Sequence, residues 1–323
     1  MTRMRGALLA VWEFVVGDDW RTAIGVVLAL ALTAAVAAAG IPAWWVMPLA
    51  VFGLLALSGF LTWQGPVLLI QKILGPSSVA VFALARVVFA MGRQGLAIIS
   101  FSIGQEITHL IGQRNWTQLK RLYDLSERVV LLLIPLFSVG VLLLSPFLFT
   151  VWLHKRNLYE PSLCFMMALI SAVMGIKEHK YQFQSSSNEH ERLSRFTLVA
   201  YAAMLLISAF LLKPFGVIGF MFVWLAAEVA QTIYILRLNV QLFPREVKIS
   251  MAPVVRLVGV LAVAFGIAAW PAFASIHWPL GTVVGVAVTI TLLMSLASYY
   301  FFGLDEVRSV LQSRIRRRLV PTG

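Results

Sequence analysis

Long apolar segments recur along this chain and are separated by short polar connections. Each segment is long enough to cross a bilayer, because about 20 apolar residues in a helix span the hydrocarbon core. The segments are apolar throughout and do not alternate between apolar and polar positions, so they predict helices and not strands. Beyond residue 75, the predicted spans are residues 79–111, 129–153, 161 to about 183, 193–212, 217–236, 254–270 and 280–302.

The first part of the chain follows this pattern less regularly. Residues 5–20 predict a short amphipathic segment on the membrane surface, and residues 22–40 predict a transmembrane helix. The apolar run at residues 46–74 is too long for one untilted span and too short for two ordinary spans. Glu13 and Asp18 interrupt the first apolar run, so we do not expect a cleaved signal peptide.

Composition agrees with a membrane protein and argues against a soluble one. Of the 323 residues, 60% are hydrophobic and 12% are charged, and the mean hydropathy is +0.88. A soluble domain carries about 25% charged residues. The net charge of +12 does not indicate a nucleic-acid partner, because the basic residues lie in connections between apolar spans, as membrane topology requires. Cys164 stands alone, so neither an intrachain disulfide nor a cysteine metal site is expected.

The basic residues also predict which connections share one side of the membrane. Lysine and arginine are frequent in the connections that follow residues 111, 183 and 236 and in the C-terminal tail, and they are sparse in the connections between these. The positive-inside rule therefore places the basic set and the C-terminal tail in the cytoplasm. We count the run from Lys177 to Lys180 with this side and expect it to be a solvated helix end.

Two arginines lie within one apolar span. Arg86 and Arg93 are seven residues apart, close to two helical turns, so they share a face of the helix. A charged side chain inside a membrane span is costly and usually marks function. The alternative is that Arg86 extends toward the membrane surface or pairs with a carboxylate such as Glu106 or Glu228. Both interpretations stay open at this point.

Several segments together carry a family resemblance. They are LGPSSVAVFALARVVFAMGRQ at residues 74–94, GQEI at 104–107, QRNWTQLKRLYD at 113–124, SPFLFTVWLHKR at 145–156, SSSNEHERLSR at 185–195 and KPFGVIGFMFVWLAAEV at 213–229. From about Leu57 onward the chain resembles the lipid-linked oligosaccharide flippases of the polysaccharide transporter family, in the superfamily of multidrug, oligosaccharidyl-lipid and polysaccharide exporters. Gln105 departs from this pattern, since related sequences often have proline before the glutamate.

The resemblance implies an all-α, polytopic membrane helix bundle of about 8–10 transmembrane helices. Residues 1–58 would form an N-terminal membrane segment, residues 59–250 one flippase-like lobe, and residues 251–323 two additional helices with a basic cytoplasmic tail. Such flippases have two six-helix lobes, and this chain resembles only the second. The expected partner is therefore a second copy in a homodimer or a separate N-terminal lobe, within the lipid bilayer.

The function that the resemblance implies is membrane transport of a polyprenyl-pyrophosphate-linked oligosaccharide, a precursor of O-antigen and lipopolysaccharide. Transport would cross the bacterial cytoplasmic membrane by alternating access between two lobes. An arginine fork matches phosphate oxygens well. Arg86 and Arg93 would therefore bind the substrate in a cavity between the lobes, with Gln94 and Gln64 as further polar lining.

Three more residues are candidates for ion coupling or gating. Glu106 and His109 are one helical turn apart, and histidine titrates near neutrality, so they are a candidate proton-coupling pair. The alternative for this pair is a polar cap at the membrane surface. Glu228 lies inside a predicted span, where it would couple ions or pair with an arginine of a neighbouring helix.

Other function classes fit the sequence less well. A membrane-bound transferase would need acidic or histidine motifs in long loops, and these connections are short and poor in carboxylates, so we do not expect an enzyme. A drug exporter of the same superfamily would be expected to have acidic cavity residues. No cofactor and no metal is expected, because the sequence has no spacing of the His-Glu-x-x-His type. The remaining alternative is a truncated, non-transporting remnant or a scaffold in a polysaccharide assembly complex.

Overall fold

The computed structural model describes residues 30–40, 42, 63–187, 191–244 and 247–302. This part of the chain is about 90% helical and contains no strand, which confirms the predicted all-α bundle. The helices are α1 (Gly65–Leu74), α2 (Pro76–Ser102), α3 (Gly104–Gly112), α4 (Trp116–Val151), α5 (Pro161–Ser186), α6 (Glu191–Leu242), α7 (Ala252–Ala274) and α8 (Leu280–Phe302). Short 3-10 turns at Arg156–Leu158 and Ser275–His277 connect α4 to α5 and α7 to α8.

The chain divides into two units, Met1–Pro66 and Val67–Gly323. In the first unit, residues 30–38 are helical, within the span predicted at residues 22–40. The predicted surface segment at residues 5–20 lies outside the described residues, as does most of the apolar run that begins at residue 46.

Six helices in the described part of the chain are long and apolar enough to cross a membrane. The first of these combines α2 with α3, and the others are α4, α5, α6, α7 and α8. The predicted number of about 8–10 spans also included segments outside the described residues.

Helix α6 is a hairpin of two antiparallel arms. Gly216 interrupts it with φ 63° and ψ −157°, a conformation that is essentially restricted to glycine. Tyr201 Oη donates a hydrogen bond to Glu228 Oε1 at 2.7 Å across the two arms, although a straight helix would separate these residues by about 40 Å. Residues 191–215 form the first arm and residues 217–242 the second. The two separate spans predicted here are confirmed.

Helix α4 lies at the centre of the bundle and packs against α2, α5, α7 and α8. Its buried face is mostly apolar but also contains Glu127 and three serines. Glycines bring α2 close to it, since a Cβ added at Gly92 would lie 2.8 Å from Val141 Cγ2 and one at Gly95 would lie 3.1 Å from Phe137 Cζ. Small residues that let two helices approach closely are typical of membrane helix packing.

The span predicted at residues 79–111 corresponds to one candidate membrane span, Pro76–Gly112, although α2 ends at Ser102 and α3 begins at Gly104. One predicted boundary was wrong. Helix α4 begins at Trp116, before the predicted start at residue 129. The Asn115 side chain accepts a hydrogen bond from the Gln118 N–H at 3.2 Å and so caps this earlier start. The basic connection predicted before residue 129 is therefore mostly helical.

Candidate functional site

Four consecutive polar residues of α5 lie inside the bundle, near the end of the helix. They are Lys177, Glu178, His179 and Lys180. We call these four residues, together with the side chains of other helices that bond to them, the α5 polar cluster. Lys180 is 0% exposed and His179 is 1% exposed. The prediction of a solvated helix end was therefore wrong. The reason is tertiary: α5 continues to Ser186, and helices α2, α4 and α6 pack around this part of it and supply partners.

Lys180 connects α5 to α4. Its ammonium forms an ion pair with Glu127, and its Nζ lies 2.8 Å from Tyr123 Oη. The same ammonium lies 3.9 Å from the centre of the Tyr123 ring, which adds a cation–π contact. A buried charge is tolerated when an opposite charge and hydrogen bonds compensate for lost hydration. Lys180 meets both conditions.

Lys177 connects α5 to both arms of α6. It forms an ion pair with Glu228, and its Nζ lies 2.9 Å from Tyr201 Oη and 3.3 Å from Gln231 Oε1. Glu228 is 0% exposed and also accepts hydrogen bonds from Tyr201 Oη at 2.7 Å and from Trp224 Nε1 at 3.0 Å. Glu228 was predicted to couple ions or to pair with an arginine; its partner is a lysine.

Arg93 and Glu178 connect α2 to α5. Arg93 Nη1 and Glu178 Oε1 form an ion pair, and the two side chains are 14% and 28% exposed. Within the described part of the chain, the second carboxylate oxygen of Glu178 is buried and has no hydrogen-bond partner. This pair is therefore less completely compensated than the pairs of Lys177 and Lys180.

Uncharged groups complete the cluster. His179 Nε2 lies 3.4 Å from Ser126 Oγ, and its Nδ1 is buried without a hydrogen-bond partner among the described residues. Asn239 of the second arm of α6 donates to the Lys180 carbonyl at 3.0 Å and accepts from Gln184 Nε2 at 2.6 Å. These bonds hold the backbone of α5 against α6.

Arg86 lies next to the cluster through an aromatic contact. Its guanidinium carbon lies 5.7 Å from the centre of the Phe82 ring. Phe82 in turn packs against Trp224, with ring centres 6.1 Å apart, and Trp224 donates to Glu228. Three of the residues that the sequence predicted to be functional therefore lie in or next to the α5 polar cluster. They are Arg86, Arg93 and Glu228.

The other predicted site residues lie outside this cluster. Gln94 is exposed on α2, and Gln64 is exposed in the first unit of the chain. Glu106 and His109 are exposed on α3, and His109 Nε2 lies 2.9 Å from Gln113 Nε2.

Sequence reasoning missed the residues that make the cluster an interior site. They are Glu127, Tyr123, Lys177, Glu178 and Lys180. One signal was present, since the span predicted to end near residue 183 already contained the charged run of α5. The acidic partner of Lys180 lies 53 positions away in the chain, so no local pattern points to it.

Within the described part of the chain, no three His, Cys, Asp or Glu residues are grouped so that they could hold a metal ion. No protein family, no curated protein and no solved structure matches the chain. The six apolar helices define a multi-pass membrane protein. Its distinguishing feature is a set of ion pairs inside the helix bundle.

Proposed function

We propose that this protein moves a polyprenyl-pyrophosphate-linked oligosaccharide across the bacterial cytoplasmic membrane by alternating access. The observation that carries the proposal is the ion pair of Arg93 with Glu178 between two membrane-spanning helices. Ionisable residues in such helices are rare and usually lie on substrate or ion pathways. The family resemblance of the sequence supplies the substrate class.

Arg93 would bind the pyrophosphate by exchanging one anion for another. An arginine fork forms two parallel hydrogen bonds with phosphate oxygens as readily as with a carboxylate. Pyrophosphate would therefore displace Glu178, and Arg86, about 10 Å further along α2, would hold a second part of the headgroup. A buried carboxylate without a partner is costly, so the displaced Glu178 would take up a proton.

This exchange would also loosen the contact between α2 and α5. The Arg93–Glu178 pair joins these helices, whereas the Lys177 and Lys180 pairs hold α5 to α6 and α4. Substrate binding would thus remove the ion pair between α2 and α5, while the pairs that hold α5 to α6 and α4 stay in place. Because the resemblance covers one lobe, a second copy or a separate N-terminal lobe would close the cavity.

The test is complementation in cells that lack their own O-antigen flippase, with surface polysaccharide as the measurement. We expect the wild-type chain to restore surface polysaccharide and Arg93→Ala to abolish restoration. Arg237→Ala, which removes an exposed arginine of α6, is the matched control and should retain function. Membrane levels of all three proteins are compared by immunoblot. Full restoration by Arg93→Ala, or none by a wild-type chain present in the membrane, contradicts the proposal.

A second candidate is a non-transporting scaffold in a polysaccharide assembly complex. The observation that favours it is that Arg93, Lys177 and Lys180 each have an acidic partner. The positive charges of the cluster are therefore balanced by acidic residues of the same chain. Such pairs can also serve to specify how helices pack. A chain that is stable in the membrane, fails to complement, and is captured with the assembly enzymes would support this candidate.

A further inference from the structure

A groove with a volume of about 590 Å³ lies between the last two helices, α7 and α8. Its walls are apolar and include Val260, Val263 and Leu293. Arg256 lines the end of the groove nearest the start of α7. This volume lies within the range of about 300–1,000 Å³ that is usual for small-molecule sites.

The groove is about as long as one leaflet of a bilayer is thick. Its lining residues on α7 run from Arg256 to Ile267, a length of about 16 Å at 1.5 Å per residue. This is about half of the ~30 Å hydrocarbon core. With Arg256 at headgroup depth, the rest of the groove would extend into the apolar interior of the membrane.

Aromatic residues support this placement. Tyr299 and Tyr300 are exposed near the end of α8, at the level of Arg256. Tyrosine is enriched at membrane–water interfaces, so Tyr299 and Tyr300 support a position of Arg256 near the membrane surface.

We propose that this groove binds one acyl chain of an anionic phospholipid, whose phosphate is held by Arg256. Charge complementarity favours an anionic headgroup, because a guanidinium pairs bidentately with the phosphate and an anionic lipid has no neighbouring cation to offset this attraction. The apolar walls of the groove and its length, close to the thickness of one leaflet, fit an acyl chain. The site lies on α7 and α8, apart from the α5 polar cluster, so it does not depend on the proposed transport function.

Native mass spectrometry of the purified full chain tests this site with two added lipids, phosphatidylglycerol and phosphatidylcholine. We expect wild-type protein to bind phosphatidylglycerol about tenfold more tightly, a difference of about 1.4 kcal/mol, because the choline cation of phosphatidylcholine offsets the attraction of its phosphate to Arg256. Arg256→Gln should remove this preference by weakening the binding of phosphatidylglycerol more than that of phosphatidylcholine.

Two glycines of α7 provide a matched pair of variants. A Cβ added at Gly259 or at Gly266 would meet no neighbouring heavy atom within 4 Å, so the first atom of a larger side chain is accommodated at either position. Gly259 lines the groove, whereas Gly266 is not among its lining residues. Gly259→Leu should weaken binding of both lipids, and Gly266→Leu should leave it unchanged.

Three results would overturn the proposal. They are equal affinity of the wild-type protein for the two lipids, unchanged binding in Gly259→Leu, and displacement of phosphatidylglycerol by a lower concentration of polyprenyl phosphate. The last result would assign the groove to a transport substrate and not to a resident lipid. Failure of complementation by the chain has no bearing on any of these measurements.

Discussion

Arg93 of α2 and Glu178 of α5 form an ion pair inside the helix bundle, although 85 positions separate them along the chain. Removing either residue takes an opposite charge away from the other between two membrane-spanning helices. The pair therefore makes the position of α2 depend on that of α5, and its two members should behave very differently when removed singly or together.

Arg93→Met should lower the free energy of unfolding by about 3–5 kcal/mol, because it leaves the Glu178 carboxylate partly buried without its partner. The double variant Arg93→Met/Glu178→Leu should recover most of this loss, since it removes both charges. Stability is measured by unfolding in mixed micelles with increasing denaturing detergent. The exposed pair of Lys120 with Asp124 provides the control, and Lys120→Met should cost about 0–1 kcal/mol. A double variant no more stable than Arg93→Met would contradict this account.

Gly216→Ala should destabilise the hairpin of α6 by about 1–3 kcal/mol, because a Cβ is strained at this positive φ. Gly285→Ala is a matched change within helix α8, where a Cβ meets no neighbouring heavy atom within 4 Å. It should stabilise the protein by up to about 1 kcal/mol, since alanine favours a helix over glycine. Thermal unfolding in detergent compares the two, and effects of the same sign would refute the prediction.

Gly92→Ala should cost about 1–3 kcal/mol by forcing α2 away from α4. The added methyl group would lie 2.8 Å from Val141 Cγ2, and valine has little rotameric freedom in a helix. Val141→Ala in the same chain should relieve the clash, so the double variant should be more stable than the sum of the single changes predicts. Strict additivity in a double-mutant cycle would argue against this contact.

Tyr159 should make the stability of the protein depend on pH in the alkaline range. It lies between α4 and α5, and its Oη donates to the Ala272 carbonyl at 2.9 Å. Burial, and secondarily the nearby Cys164, raise the pKa of its phenol above the ordinary value of 10.0. The folded state thus holds this proton more tightly than the unfolded state. The resulting stability is fully present below about pH 10 and is lost as the pH rises above it.

Tyr159→Phe should therefore flatten the loss of stability as the pH rises from about 10 to about 12. Unfolding temperatures of the variant and the wild type are compared across this range. Tyr300→Phe, which changes a side chain that is 85% exposed, should follow the wild-type curve. If Tyr159→Phe follows that curve as well, burial of the phenol does not control this dependence.

The sequence predicted the helices well because a membrane span is a local property. An unbroken apolar run is sufficient to indicate a helix, and Pro214 with Gly216 marked the reversal between the two arms of α6. The start of α4 was predicted too late, because its first residues are polar on one face. The apolar face of this first part of α4 is buried by contacts of Leu119 and Tyr123 with Phe183 of α5 and with Phe243, which follows the end of α6.

The interior charges could not be predicted in the same way. Lysines near the end of a span usually point to water, and the chain around Lys180 looks no different from such an end. What buries Lys180 is Glu127, one helix earlier, and the hydroxyl group of Tyr123. Arg93 and Glu228 were found because an intramembrane charge is conspicuous by itself, but their partners depend on which helices become neighbours.

The order of synthesis gives the Arg93–Glu178 pair a further consequence. Arg93 enters the membrane before Glu178 exists, and ribosomes add about 5–20 residues per second. With 85 positions between them, Arg93 waits on the order of 4–17 s for its partner. During this time the charge of Glu178 is not available to Arg93, so the arginine is held in the membrane at a higher cost. Premature release of the early helices would therefore be a specific hazard of biogenesis for this protein.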